Sequence, residues 1–374
     1  MKKYLNGTIL ETLERVKSLK TKIPTIGLPD CFHQLAANCT NDIDNVIHVL
    51  DEFNNNPKYQ VESNQRRKLI DFQDAVNYID YLENKIIAPL SRWVDDDVRI
   101  TKFVQKICNE IQYPLLPPVA SRLSQEYYCI DVKFNHLRVP LLESEFLLHM
   151  PDLYHELAHP IIAMTNDPRV SNFQNCLGQF ISYAKIYCQK ETITYQKNNG
   201  EEEAYYLDLF NQSWVNWGIE LFCDLFATYT LGSAYAWANL HLCVKRGSKP
   251  FHTPSFEPSS HPADDARMQV ILHGLDLIGF KAEANTIRDF WQKFIVINNS
   301  SITANYKMAF PQHLLEHCAA LALDATKQIK CQIVSPDSTN KVFTLLNTAW
   351  SKFIDDPIDY IDWERKRREE YEVN

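Results

Sequence analysis

The sequence predicts a mainly α protein with one small β-sheet, an α+β chain, and three observations carry that prediction. Apolar residues recur every three or four places over most of its 374 residues, as in IDFQDAVNYIDYLENKIIAPL, residues 70–90. Only one stretch alternates with a period of two. In QEYYCIDVKFNHLRVP, Ile130, Val132 and Phe134 alternate with Asp131, Lys133 and Asn135, the pattern of a half-buried strand, so one short strand pair is expected there. With 45% apolar and 23% charged residues, the chain has the balance of a globular protein rather than of a disordered one.

Taken in order, residues 1–120 form a helical N-terminal region, with breaks at NNNPK and at Pro114, Pro117 and Pro118. Residues 121–275 form a second region, the expected core: the strand pair, then helices interrupted at TNDPRVSN and at the polar QKNNGEEE, which reads as an exposed loop. A Pro- and Ser-rich connection, GSKPFHTPSFEPSSHP, spans Gly247 to Pro262. Residues 276–374 return to helical period. They end in DWERKRREEYEV, where Glu364 with Arg368 and Lys366 with Glu370 stand four apart, as on a solvated helix face.

Composition narrows the function. A net charge of -9 argues against a nucleic-acid partner. Nine glycines, none closer together than Gly274 and Gly279, leave no place for GxGxxG, a P-loop or GxSxG. Ten cysteines without a CxxC pair, behind a start that lacks the apolar segment of a secretory signal, predict reduced thiols in the cytoplasm. No transmembrane helix is expected. The nearest approach, Leu225 to Val244, is diluted by Thr, Ser, Asn, His and Gly and reads as a buried core helix.

The chemistry concentrates in PDLYHELAHP. On a helix, His155 and His159 share a face, so two imidazoles can converge on one zinc ion while Glu156 reaches a water beside it. Further along, Glu220 and Asp224 are the only charged residues between Ser213 and Val244. Two like charges on one face of an apolar helix are costly unless compensated. Zinc held with the two histidines is one compensation, with Glu220 as third protein ligand and Asp224 accepting the outer N–H of a ligand imidazole, His155 by preference. An internal ion pair with an arginine is the other. In SSHPADDAR, His261 could donate to an oxyanion and Arg267 could fix that histidine or a substrate carboxylate; equally, Pro262, Asp264 and Asp265 could simply open a helix with Arg267 pairing locally. Tyr229 and Tyr235 read as core residues, His149, His241 and His273 as structural histidines, and Cys223 as a small buried residue rather than a ligand.

In this order, HELAH, ELFCD and SHPADDAR resemble the gluzincin metallopeptidases, and within them most of all the CAAX prenyl protease and HtpX-like group. The resemblance covers three short motifs between about residues 143 and 275. It implies a zincin-like catalytic core flanked by helical regions and one zinc ion per chain on His155, His159 and Glu220. It also implies Glu156 as general base, with His261 and Arg267 touching substrate or oxyanion, and the strand near residues 127–139 as a place to hold an extended peptide. The chain departs from the group in lacking membrane-spanning helices, so its prenylated substrates do not carry over. Pro160, directly after His159, should kink or end the active-site helix, and HPA replaces HPP. The reading is a zinc metallopeptidase acting on a peptide or protein. Its rivals are a zinc-stabilised regulatory protein and a zinc hydrolase of non-peptide amides or esters.

Overall fold

A computed structural model describes residues 2–122 and 127–372, with side chains through residue 367. The pairs expected between Glu364 and Arg368 and between Lys366 and Glu370 lie outside the described side chains. The chain is 73% helical with a three-stranded mixed sheet, the mainly α composition that the periodicity predicts. It divides into two compact units, Met1–Val104 with Pro118–Leu141, and Gln105–Pro117 with Leu142–Asn374.

The first unit holds α1 (Lys2–Lys20), α2 (His33–Asn55), α3 (Gln65–Tyr81), a π-helical turn over Leu82–Ile87, the short α4 (Ala88–Ser91) and the start of α5 (Asp95–Glu110). Ile9, Leu13 and Val16 of α1 meet Cys39, Ile43 and Leu50 of α2, and Phe72 and Ile79 of α3, in one apolar cluster. Spacings of three, four and seven put each set on a single helix face, which is why these segments fold as helices against one another. The sheet comprises β1 (Val119–Ser121), β2 (Cys129–Asp131) and β3 (His136–Arg138), in the order β1-β3-β2. Leu137 stands opposite Ala120 of parallel β1 and Ile130 of antiparallel β2. The alternation expected through Phe134 stops at Asp131. Its carboxylate accepts the Phe134 N–H at 3.1 Å, and Asn135, at φ 50°, turns the chain back into β3. This sheet belongs to the first unit, whereas the HELAH segment, grouped with it in one expected region, belongs to the second.

The second unit takes the end of α5 and then α6 (Asp152–Ala163), α7 (Ser171–Lys197), α8 (Glu201–Leu231), α9 (Ser233–Arg246), α10 (Asp264–Leu277), α11 (Lys281–Ile297), α12 (Ala304–Ala309), α13 (Gln312–Gln328), α14 (Lys341–Asp355) and α15 (Pro357–Glu372). Helix α8 is its axis and touches α6, α7, α10 and α13. The polar QKNNGEEE segment is not a long loop. Asn199, at φ 60°, turns the chain within three residues, and Glu201, Glu202 and Glu203 form the first turn of α8, where acidic groups favour the helix dipole. Helix α15 also departs from the expected solvated face, because Tyr360 and Glu364 are buried and the Glu364 carboxylate accepts the Leu147 N–H at 2.5 Å.

The apolar run Leu225–Val244 is buried as expected but is two helices. Gly232, at φ 79° and ψ -145°, breaks it in a region that only glycine enters readily, and the Phe280 ring lies 3.0 Å from where a Cβ would stand. Among the described residues no helix is long and apolar enough to cross a membrane. All ten cysteines are free thiols.

Two outcomes follow for stability. Gly232→Ala should cost about 1–3 kcal/mol from backbone strain alone, measured by denaturant unfolding, and no loss would contradict the assignment of this break. In the first unit, His136 is fully buried with the Ser121 hydroxyl 2.8 Å from Nε2, and burial followed by the charge of Arg138 pushes its pKa down to about 3. Protons therefore bind the unfolded chain first. Stability should fall as pH drops from about 6.5 toward 3, by up to about 1.4 kcal/mol per unit from this group, and His136→Gln should flatten that slope.

Candidate functional site

Helix α6 carries His155, Glu156 and His159 along one buried turn, with the two imidazole centroids 5.2 Å apart. Pro160 does not end the helix as expected. Its missing N–H leaves one bond unmade, yet the helix runs on to Ala163 and closes with the Met164 N–H on the Pro160 carbonyl at 3.0 Å. The Tyr113 hydroxyl also donates to the Leu157 carbonyl at 2.8 Å, which ties the middle of α6 to the segment after α5.

Opposite, α8 presents Glu220, Cys223 and Asp224. The Asp224 carboxylate lies 2.9 Å from Nδ1 of His155, the pairing expected from the sequence, and Oε2 of Glu220 lies 3.4 Å from Nε2 of the same ring. Two ligands bound to a tetrahedral zinc at 2.0–2.2 Å are about 3.4 Å apart, so these two atoms already stand at the spacing a shared ion would require. Cys223, read from the sequence as a plain buried residue, sits with Sγ 3.6 Å from Nδ1 of His159. His155, His159 and Cys223 each offer a ligand atom, and the three atoms lie within 4.8 Å of one another. His155, His159 and Cys223 therefore fit a divalent soft-to-borderline ion, and Glu220 adds a carboxylate oxygen at ligand spacing from His155.

The arginine of the SHPADDAR segment is placed differently from its expected substrate role. Arg267, on the first turn of α10, grips Asp224 with Nε at 2.8 Å and a terminal nitrogen at 2.6 Å and is itself partly buried. The internal ion pair that the sequence left open is thus present for Asp224, while among the described residues no arginine grips Glu220, which faces His155. The segment opens a helix, but differently from the expected pattern: α10 starts at Asp264 after an Ala263 cap, so Pro262 lies outside it and Arg267 pairs with α8 instead of locally; the Asp264 carboxylate accepts from Ser248, and Asp265 accepts from Trp291 at 2.7 Å and from Tyr306. Gly274 lets α10 come this close, since a Cβ there would lie 2.9 Å from Leu225 and 3.2 Å from Thr228 on α8.

Tyr235 is the residue that the sequence hides. Eleven positions on an unbroken helix would separate it from Asp224 by about 16 Å, but the break at Gly232 folds α9 back, and the hydroxyl donates to Asp224 at 2.5 Å while its ring stacks on His155. No local pattern marks this contact. Tyr229 is core as expected, donating to the Ala319 carbonyl at 2.6 Å. His149 and His241 pack on each other with Lys245 against His149, and His273 lies outside the site, so none joins the ligand set. His261 stands on the loop before α10 with its side chain 65% exposed and Nε2 4.0 Å from Glu220.

These contacts set the protonation. Burial opposes charge on His155, but the hydrogen bonds and charges of Asp224 and Glu220 outweigh it and lift its pKa to about 10. Burial and then the neighbouring His155 lower His159 to about 4. Burial would raise Asp224, yet Arg267 and His155 hold it well below the usual carboxylate range, and His155 holds Glu220 near 2. Asp224 on Nδ1 and Glu220 beside Nε2 thus hold the His155 ring in its charged form.

Compared with protein-family models, with curated proteins and with solved structures, the chain matches none. The resemblance to gluzincins rests on the three motifs alone.

Removing Arg267 strands a buried carboxylate. Arg267→Met should lower unfolding stability by about 3–5 kcal/mol, and adding Asp224→Asn should recover part of that loss in a double-mutant cycle. Strict additivity would contradict the coupling.

Proposed function

We propose that this chain is a zinc-dependent metallopeptidase with His155, His159 and Glu220 as metal ligands and Glu156 as general base. The observation that carries this reading is the oriented imidazole of His155, with Asp224 on Nδ1 and Glu220 at ligand spacing from Nε2. Asp224 is paired with Arg267, so the carboxylate left facing His155 Nε2 is Glu220, and a zinc ion would take the place of the proton that His155 holds there. Bound zinc would supply a Lewis acid for the scissile carbonyl and the attacking water.

The chain's own residues supply the rest. Glu156, between the two histidines, takes a proton from the water and later delivers it to the leaving amine. His261, exposed at the edge of the site, donates to the oxyanion. Arg267 positions Asp224, and through it His155, instead of meeting substrate. The proposed substrate is a peptide or protein, and the ten free thiols favour the reducing cytoplasm as its setting.

A second reading is favoured by Cys223. A closed set of His155, His159 and Cys223 would be a structural zinc site of a regulatory protein. Burial raises the thiol's pKa well above its ordinary value, so a metal ion held there would have to displace its proton.

Metal content and cleavage of a mixed peptide library separate the readings. One zinc per chain is expected in the wild type and in Glu156→Gln, with cleavage only in the wild type, and loss of zinc in Glu220→Gln. Zinc retained by Glu220→Gln and lost by Cys223→Ser would replace this function with the structural one.

A further inference from the structure

Two serines precede His261, and each is engaged with something specific. Ser259 is fastened to α8 twice: its N–H donates to the Ser213 hydroxyl at 3.1 Å, and its own hydroxyl accepts from Nε1 of Trp217 at 2.8 Å. That same hydroxyl donates to the His261 carbonyl at 3.0 Å. Trp217 lies one turn before Glu220 on α8, so the loop is anchored beside the candidate ligand. Ser260 has a different partner, Nδ1 of His261 at 2.8 Å.

We propose that Ser259 and Ser260 are positioning residues, Ser259 holding the His261 backbone against α8 and Ser260 fixing the ring as the tautomer that carries its proton on Nε2. This rests on the peptidase reading for its purpose, though not for its geometry. One contact selects the tautomer. Among the described residues the Ser260 hydroxyl makes no other hydrogen bond, so its hydrogen is available to Nδ1, 2.8 Å away. With Nδ1 occupied as acceptor, the Nε2–H is the group left to donate into the site. An oxyanion needs a donor at that atom; the opposite tautomer would present a lone pair and repel it. The side chain is 65% exposed, and on the loop side Ser260 is the residue that holds its ring.

The separation of roles gives the test. In the full-length, zinc-loaded protein with labelled histidine, nitrogen-15 spectra report the tautomer, and the His261 signal is identified by its loss in His261→Gln. The wild type should show a protonated Nε2 and an unprotonated Nδ1. Ser260→Ala should shift the ring toward a mixture, Ser260→Thr should restore it, and Ser259→Ala should leave the tautomer in place. Both alanine variants should lower kcat for peptide cleavage on the order of tenfold to a hundredfold with KM and zinc content little changed, because the loss is of alignment in the transition state. A wild-type ring protonated on Nδ1, or a Ser260→Ala spectrum identical to the wild type, would overturn the proposal. If the protein cleaves no peptide, the peptidase reading fails, while the spectra still decide the role of Ser260.

Discussion

Everything in the second unit turns on one buried carboxylate. Asp224 has no exposed surface, and it accepts from two guanidinium nitrogens of Arg267, from the Tyr235 hydroxyl and from Nδ1 of His155. Four helices, α6, α8, α9 and α10, each bring one of these groups to the same point. A carboxylate buried without such partners would cost several kcal/mol, so the contacts are a condition of packing the helices together at all. The same contacts leave the His155 ring in one orientation with Nε2 facing Glu220.

The backbone serves this arrangement in two places. The break at Gly232 returns Tyr235 to a carboxylate eleven residues back, and the absence of a side chain at Gly274 allows α10 to approach α8 closely enough for Arg267 to reach. Neither glycine belongs to the candidate ligand motifs in sequence. Each acts by setting the distance between helices, and a Cβ at either would meet a ring or a side chain already in contact. The serine pair before His261 extends the same logic to the loop, where hydrogen bonds to α8 replace helix packing.

Much of this was legible in the sequence, for physical reasons that differ between elements. Helical period identified the chain as mainly α because apolar faces must be buried, and two acids alone in the apolar stretch from Ser213 to Val244 announced a compensated buried charge. The pairing of Asp224 with His155 followed from that compensation. What could not be read was long-range geometry. Arg267 lies 43 residues from Asp224, and from local spacing it looks like a capping or substrate residue. Tyr235 carries no signal, because it needs the helix break to reach its partner. Cys223 looks like any small core residue until α6 is placed against it. The strand pair was legible as a strand pair, but its membership of the other unit was not, since period two says nothing of where a sheet packs.

The central claim is that Glu220, not Cys223, completes the metal set with His155 and His159. X-ray absorption at the zinc edge on the wild-type protein tests it most directly. Two imidazoles with only nitrogen and oxygen at about 2.0–2.2 Å are the predicted result, and a sulfur neighbour at about 2.3 Å would contradict it.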